Sequence, residues 1–247
     1  MAEPFEMQDA IIDGPQRGRG AGLNPGNRFE TVRLHVLGEF KDEQARDGEA
    51  NVSHATTVYH DETKSIITRN DSPDISFTWS INPYRGCEHG CVYCYARPDH
   101  ERLGFSCGLD FETRIVAKPE APALLRKELA SPKWRGETIA MSGVTDCYQP
   151  IEAKLKITRG CLEVMAECRQ PVGIVTKNRL VMRDIDLLTE LAGHNAARVA
   201  VSITTLDRTL AMKMEPRAST PADRLRTIRE LTDAGVPVMV MVAPIIA

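Results

Sequence analysis

The chain has 247 residues, 42% hydrophobic and 26% charged, with 31 basic against 34 acidic residues and a net charge of −3. That composition supports one sizeable core or two small ones, and excludes a whole-chain basic footprint for nucleic acid or anionic membranes. No apolar run approaches the roughly 18 residues of a membrane helix, and MAEPFEMQDA lacks a signal peptide's basic and apolar regions. The expectation is a soluble cytoplasmic protein whose seven cysteines are thiols, thiolates or metal ligands rather than disulfides.

Residues 1–50 hold seven of the 17 glycines, including Asp13-Gly14-Pro15 and Arg17-Gly18-Arg19-Gly20. Such a segment buries too little apolar surface to offset its ordering entropy, so 1–27 is expected to be a flexible arm. Its Arg-Gly pairs suit phosphates, yet acidic residues outnumber basic ones ten to six over residues 1–50, which favours a solvated tail. Residues 28–74 form an N-terminal extension, in which the alternation Val32 to Leu37 suggests a strand.

From residue 75 the pattern is regular. Strands are expected at Ile75 to Asn82, Phe111 to Lys118, Glu137 to Ser142, Pro171 to Lys177, Arg198 to Thr204 and Val236 to Ile246. Helical patterns fill the gaps. Ala121, Leu124, Leu125 and Leu129 follow the second strand; Val181, Ile185, Leu188 and Leu191 follow the fourth. After the fifth, Thr220-Pro221-Ala222-Asp223 is an N-cap sequence, Leu225, Ile228 and Leu231 make a stripe, and Gly235 sits at C′.

Repeated β–α units make this an α/β protein with a parallel sheet. Six of them suit a partial (β/α)6 barrel of TIM-like type spanning 75–247, since a full eight-unit barrel takes about 250 residues by itself. The sixth strand is apolar on both faces with no helix after it. The expectation is therefore that Ala247 truncates the barrel at strand six, or that a partner supplies the missing layer.

Chemistry concentrates after the first strand, in Asn82-Pro83-Tyr84-Arg85-Gly86-Cys87-Glu88-His89-Gly90-Cys91-Val92-Tyr93-Cys94-Tyr95-Ala96-Arg97. Three thiolates at Cys87, Cys91 and Cys94, spaced Cys-x3-Cys-x2-Cys, can each hold one iron of a [4Fe–4S] cubane and leave the fourth iron without a protein ligand. Gly86 and Gly90 would let the loop wrap the inorganic core closely. A structural zinc site is the alternative, with His89, His100 or Cys107 as fourth ligand, though no second ligand pair follows at a regular offset. Buried, unliganded cysteines are the third reading.

This motif, followed by β–α units, resembles the radical S-adenosylmethionine (SAM) superfamily, and within it the branch related to spore photoproduct lyase. The likeness runs from about Ser72 to the chain end. It implies a cluster whose open iron binds the amino and carboxylate groups of SAM. One-electron reduction then releases methionine and a 5′-deoxyadenosyl radical that abstracts hydrogen from substrate. It also implies a flavodoxin- or ferredoxin-type reductant.

The resemblance extends to the strand ends, where β–α barrels gather functional residues. Thr145 and Asp146 are similar to a Ser-Asp pair that helps hold SAM. Lys177 and Ser202 match residues at the SAM carboxylate, and Tyr93 matches an aromatic whose backbone lies near the adenine. Tyr95 resembles a tyrosine implicated in hydrogen transfer; packing against the cluster loop is its alternative. Glu215-Pro216-Arg217 resembles a family turn and is a substrate-side candidate, with an exposed ion pair as the other reading.

One departure matters: Gly143 stands where the lyase has its hydrogen-donating cysteine, so the lyase reaction does not carry over. Cys147 is the substitute donor to consider, against a half-buried structural thiol. Cys107, Cys161 and Cys168 read as packing residues, the last two on a helix leaning on the sheet. Two other functions remain open: a zinc or cluster module that binds nucleic acid through the Gly/Arg arm, and a radical enzyme acting on DNA or RNA.

Overall fold

The computed structural model describes residues 12, 18–26, 55–75 and 77–245. The strand expected at Val32 to Leu37 lies outside the described residues. In chain order come β1 (Thr57–His60), β2 (Thr68–Arg69), β3 (Trp79–Ile81) and β4 (Tyr84–Arg85), then a 3-10 helix (Arg97–Leu103), α1 (Asp110–Thr113) and β5 (Arg114–Ala117). Next are α2 (Ala121–Leu129), β6 (Ile139–Met141), α3 (Glu152–Leu155), α4 (Ile157–Cys168) and β7 (Val172–Thr176). A second 3-10 helix (Arg179–Asp184) leads to α5 (Ile185–Gly193), β8 (Ala197–Ser202), α6 (Arg208–Met214), α7 (Pro221–Asp233) and β9 (Val238–Met241).

The main sheet has the order β2-β3-β6-β7-β8-β9. Strands β3, β6, β7, β8 and β9 run parallel, and β2 pairs antiparallel with β3 at one edge. Five of the six expected strands are here, each shorter than its apolar pattern. The second is not. Residues 111–113 are helical, with Thr113 N and Oγ1 both donating to Leu109 O, and Arg114–Ala117 joins a separate three-stranded sheet, β1-β5-β4. The expected six parallel units are therefore five among the described residues, and no closed barrel is formed there.

The core lies between the sheet and its helices. Ile81, Ile139, Met141, Ile174, Val199 and Val201 are buried against Leu125, Leu162, Met165, Leu188, Leu191 and Leu231. Each such side chain contributes about 1.5–3 kcal/mol on leaving water. Helix α7 starts as its sequence predicts: Thr220 Oγ1 accepts from Asp223 N at 3.2 Å, Pro221 opens the first turn, and Gly235 takes φ +81° at C′. Its inward line differs, running Pro221, Arg224, Thr227 and Leu231, while Leu225 is 49% exposed. The cause is Arg224, which turns inward to a buried carboxylate. Cys161 is buried on α4 as expected, whereas Cys168, one residue before the cap, is exposed. On β9, Met239 and Val240 are half exposed, so this strand is not covered on both faces within the described residues.

Parallel strands place all their C-terminal ends on one edge. The loops after β3, β6, β7 and β8 therefore meet there, and these loops carry Cys87 to Cys94, Thr145 and Asp146, and Lys177, with Ser202 ending β8 itself.

Candidate active site

The cysteine loop is held by backbone hydrogen bonds to two other segments and to itself. Cys87 N donates to Phe111 O (2.9 Å), Val92 N to Met214 O (3.0 Å) and Cys94 N to Cys91 O (3.2 Å). Gly86 and Gly90 take φ +75° and +67°. A Cβ at Gly86 would lie 3.0 Å from Phe111 O, and one at Gly90 would lie 2.7 Å from a Glu112 carboxylate oxygen. These glycines are thus required by left-handed backbone and by protein neighbours behind the loop, a different reason from close approach to an inorganic core.

Cys87 and Cys91 are buried and Cys94 is half-buried. Burial pushes the Cys87 thiol far up, with Asp146 and the neighbouring thiols adding to it. Burial and the nearby Glu215 push Cys91 up to about 12, against the opposing pull of Lys177. Burial raises Cys94 as well. Such thiols stay protonated until a metal supplies positive charge, and binding one releases their protons. Among the described residues no three His, Cys, Asp or Glu side chains converge as ligands of a single ion do. Thiolates that each take a separate iron have no need to converge, so the donor set fits a cubane cluster. His89, a candidate fourth zinc ligand, is occupied otherwise: Nδ1 lies 3.3 Å from Asp146 Oδ2 and Nε2 lies 3.1 Å from Asn178 Nδ2. His100, another, lies between the rings of Phe105 and Phe111.

Asp146 ties three loops together. Tyr148 N donates to its Oδ1 at 2.8 Å, Thr176 Oγ1 to the same oxygen at 2.9 Å, and Lys177 N to Oδ2 at 2.8 Å, beside His89. Burial alone would raise this carboxyl, but the His89 ring and these donors hold it below the usual carboxylate range. Thr145 is buried and its hydroxyl donates to Tyr84 O at 2.9 Å. The polar atoms of both residues therefore serve the protein and brace the turn.

Lys177 and Ser202 are in contact. Lys177 Nζ donates to Ser202 Oγ at 2.6 Å, lies 3.7 Å from Glu215 Oε1, and stands 5.7 Å above the centre of the Tyr93 ring. The Tyr93 hydroxyl donates to Glu215, which also accepts from Thr204 Oγ1 at 2.9 Å and pairs with buried Arg224. Burial alone would raise Glu215, but Arg224, Tyr93 and Lys177 hold it below the ordinary carboxylate range. Glu215 is thus part of a buried ion pair, not an exposed one, and Arg217 pairs with buried Glu88 at 3.1 Å.

Tyr95 is 76% exposed and its hydroxyl donates to Gly143 O at 2.5 Å, so it reaches across the mouth instead of packing behind the loop. Cys147 is 0% exposed and belongs to the core cluster. Burial drives its thiol pKa far up, and its peptide N–H is held by Ser142 Oγ at 2.8 Å. Its side chain is therefore held in the core, as a structural thiol is.

A family model described as "Radical SAM superfamily" matches residues 81–246, two thirds of the chain. The chain belongs to the radical SAM superfamily. An uncharacterised protein of Mycobacterium tuberculosis is 41% identical over 172 residues, covering 70% of this chain and 51% of the relative. One from Methanocaldococcus jannaschii is 31% identical over 166 residues, covering 67% and 60%. The chain thus spans about half the length of the curated relatives it matches. Among solved structures, spore photoproduct lyase complexed with dinucleoside spore photoproduct superposes with TM-score 0.56 at 20% identity, covering 76% of this chain and 50% of that one. A mutant lyase with bound AdoMet and the same dinucleoside gives 0.57 at 19% identity, covering 88% and 57%. At those identities the likeness is one of fold.

Four residues around this candidate site escaped the reading of the sequence: Arg97, Glu112, Asn178 and Arg224. Arg97 at least ends the cysteine motif, and charged residues found buried are commonly paired. Nothing in the local pattern around Glu112 or Arg224 marks them as buried, and Glu112 accepts from the backbone of Gly20 and Ala21, far away in sequence.

Proposed function

We propose that this chain carries the SAM-cleaving core of a radical SAM enzyme, a partial (β/α) barrel whose Cys87, Cys91 and Cys94 hold a [4Fe–4S] cluster. A cluster held there would supply one-electron reduction of the SAM sulfonium, with the electron drawn from a flavodoxin- or ferredoxin-type donor and methionine and a 5′-deoxyadenosyl radical as the products of C–S cleavage. The residues bind and orient. Lys177 offers a partly exposed ammonium and Ser202 a hydroxyl, a pair suited to the SAM carboxylate. Tyr93 flanks that pair and lines the adenine side. Thr145 and Asp146 act through the turn they brace, by fixing His89 behind the cysteines and the Lys177 backbone. Tyr95 is the hydrogen-transfer candidate of the mouth, and Gly143 separates this chemistry from that of the lyase. The compartment that suits a reductant of this kind is the cytoplasm.

The observation that carries this reading is the 2.6 Å contact of Lys177 with Ser202 beside Tyr93 of the cysteine loop. A zinc-bearing nucleic-acid module has no use for it. The test is anaerobic reconstitution followed by iron and sulfide analysis and an assay for 5′-deoxyadenosine with dithionite and SAM. Four irons and four sulfides per chain with product formation are expected on this reading. A colourless zinc protein, or a cluster protein inert towards SAM, overturns it.

A further inference from the structure

The glycine-rich segment that its composition marks as an unstructured arm lies, at residues 18–24, directly against the back of the cysteine loop. Gly20 N and Ala21 N donate to the two carboxylate oxygens of Glu112 at 2.9 and 2.8 Å. Glu112 is fully buried, and Arg97 Nη2 donates to its Oε1 at 2.6 Å. Arg97 in turn donates to Cys91 O from Nε (3.2 Å) and Nη2 (2.9 Å), and to Gly108 O from Nη1 (3.1 Å). A continuous line of charge-assisted hydrogen bonds therefore runs from the segment's backbone through Glu112 and Arg97 to a cluster cysteine.

The packing is equally close. A Cβ at Gly20 would stand 1.7 Å from Gly90 O, and one at Gly108 would stand 2.0 Å from Leu23 O. The chains cross where only hydrogen fits on Cα. Leu109 N donates to Leu23 O at 3.1 Å, and Asn24 and Asp110 exchange hydrogen bonds of 3.1 and 3.0 Å. Arg19 adds bonds to Glu112 O (2.7 Å) and Thr56 Oγ1 (3.1 Å). By contrast, a Cβ at Gly22 would meet nothing within 4 Å.

We infer that residues 19–24 are a strap that holds the cysteine loop in its ligating shape, with Glu112 and Arg97 as positioning residues that transmit its grip to Cys91. The inference rests on the proposed role of the three cysteines as cluster ligands. It assigns Arg19 and Gly20 of the Arg-Gly stretch to the cofactor site instead of to a nucleic-acid arm.

The test reads thiol reactivity in the full-length apo-protein under anaerobic conditions, by iodoacetamide alkylation followed per cysteine by mass spectrometry. Buried Cys161 reports global unfolding and exposed Cys168 serves as the reference. Gly20→Val should raise the alkylation rates of Cys91 and Cys94 by about tenfold or more, because two hydrogen bonds to a buried carboxylate are lost. Gly22→Ala should leave them unchanged, and Glu112→Gln should raise them less than Gly20→Val. Should Gly20→Val also expose Cys161, Ala21→Pro, which removes a single N–H, decides in its place. Rates equal to the unmodified chain with Cys161 still protected overturn the strap. In reconstituted protein the same variants should alter the reduced cluster's EPR line shape, which a remote structural defect leaves unmoved. A chain that takes up no iron yet shows strap-dependent thiol protection would sink the cluster reading and keep the strap.

Discussion

Lys177 Nζ and Ser202 Oγ, 2.6 Å apart, join the C-terminal ends of the adjacent strands β7 and β8. Neither residue is placed by chance, since Lys177 N is pinned by Asp146 and Ser202 O accepts from buried Arg224 at 2.9 Å. The ammonium rests on a neutral hydroxyl and a more distant carboxylate, a weaker set of partners than an incoming carboxylate would offer. Lys177→Ala should therefore weaken SAM binding by about 10- to 100-fold, the worth of a hydrogen bond to a charged group. Iron content should be unchanged. Equilibrium dialysis with labelled SAM, alongside iron analysis, checks both. Undiminished SAM binding would remove Lys177 from the site.

Arg224 and Glu215 form a buried pair behind that contact, with side chains 2% and 0% exposed. Arg224→Ala strands a carboxylate in low dielectric and should cost about 3–5 kcal/mol in urea unfolding. Glu215→Gln with Arg224→Met removes both charges and should recover much of that loss. The pH dependence follows from the direction of the Glu215 shift. Its folded pKa lies below the ordinary 4.5, so its contribution is full above pH 4.5 and is lost as pH falls through the lower folded value. Acid unfolding curves of Glu215→Gln should lack that component.

The same sign holds at His100, whose imidazole is 1% exposed and lowered to about 4, chiefly by burial. Above pH 6.5 the ring is neutral in folded and unfolded chains alike and contributes nothing to the pH dependence. As pH falls from 6.5 to 4 the unfolded chain gains a proton that the folded one refuses, and about 3 kcal/mol of stability disappears. His100→Leu should flatten this loss over the same interval. Parallel losses in both proteins would place the titration elsewhere.

The α/β class, the helix caps and the cysteine loop were legible because each rests on short-range pattern. Thr220, Pro221 and Gly235 belong to one helix and its caps, and Cys87 to Cys94 to one loop. The pairing of Arg114–Ala117 was not legible, since Ile115-Val116-Ala117 suits either sheet and the choice is made by Thr57–His60, more than 50 residues away. The same limit hid Gly20 against Gly90. Composition marked the Arg-Gly stretch as unable to form a core by itself, which is sound. It had no means of showing that the backbone N–H groups of Gly20 and Ala21 meet a buried carboxylate at position 112.

Cys147 and Gly143 show how a tight turn separates neighbours in sequence. Cys147 lies four residues after Gly143, yet the chain reverses between them. Ser142 takes φ +76°, a conformation costing about 1–2 kcal/mol for a non-glycine residue, and its hydroxyl bonds Cys147 N. That reversal sends the Cys147 side chain into the core while Gly143 O stays at the mouth, bonded to Tyr95. Cys147→Ala should therefore leave 5′-deoxyadenosine formation within about twofold of the unmodified chain while lowering unfolding free energy by about 1–2 kcal/mol. Tyr95→Phe should do the opposite, sparing stability, because the hydroxyl it removes is exposed and its one partner is a carbonyl that water can satisfy. Urea unfolding and a single-turnover assay on both variants separate the roles. Loss of product formation in Cys147→Ala at unchanged stability would return that thiol to the mouth.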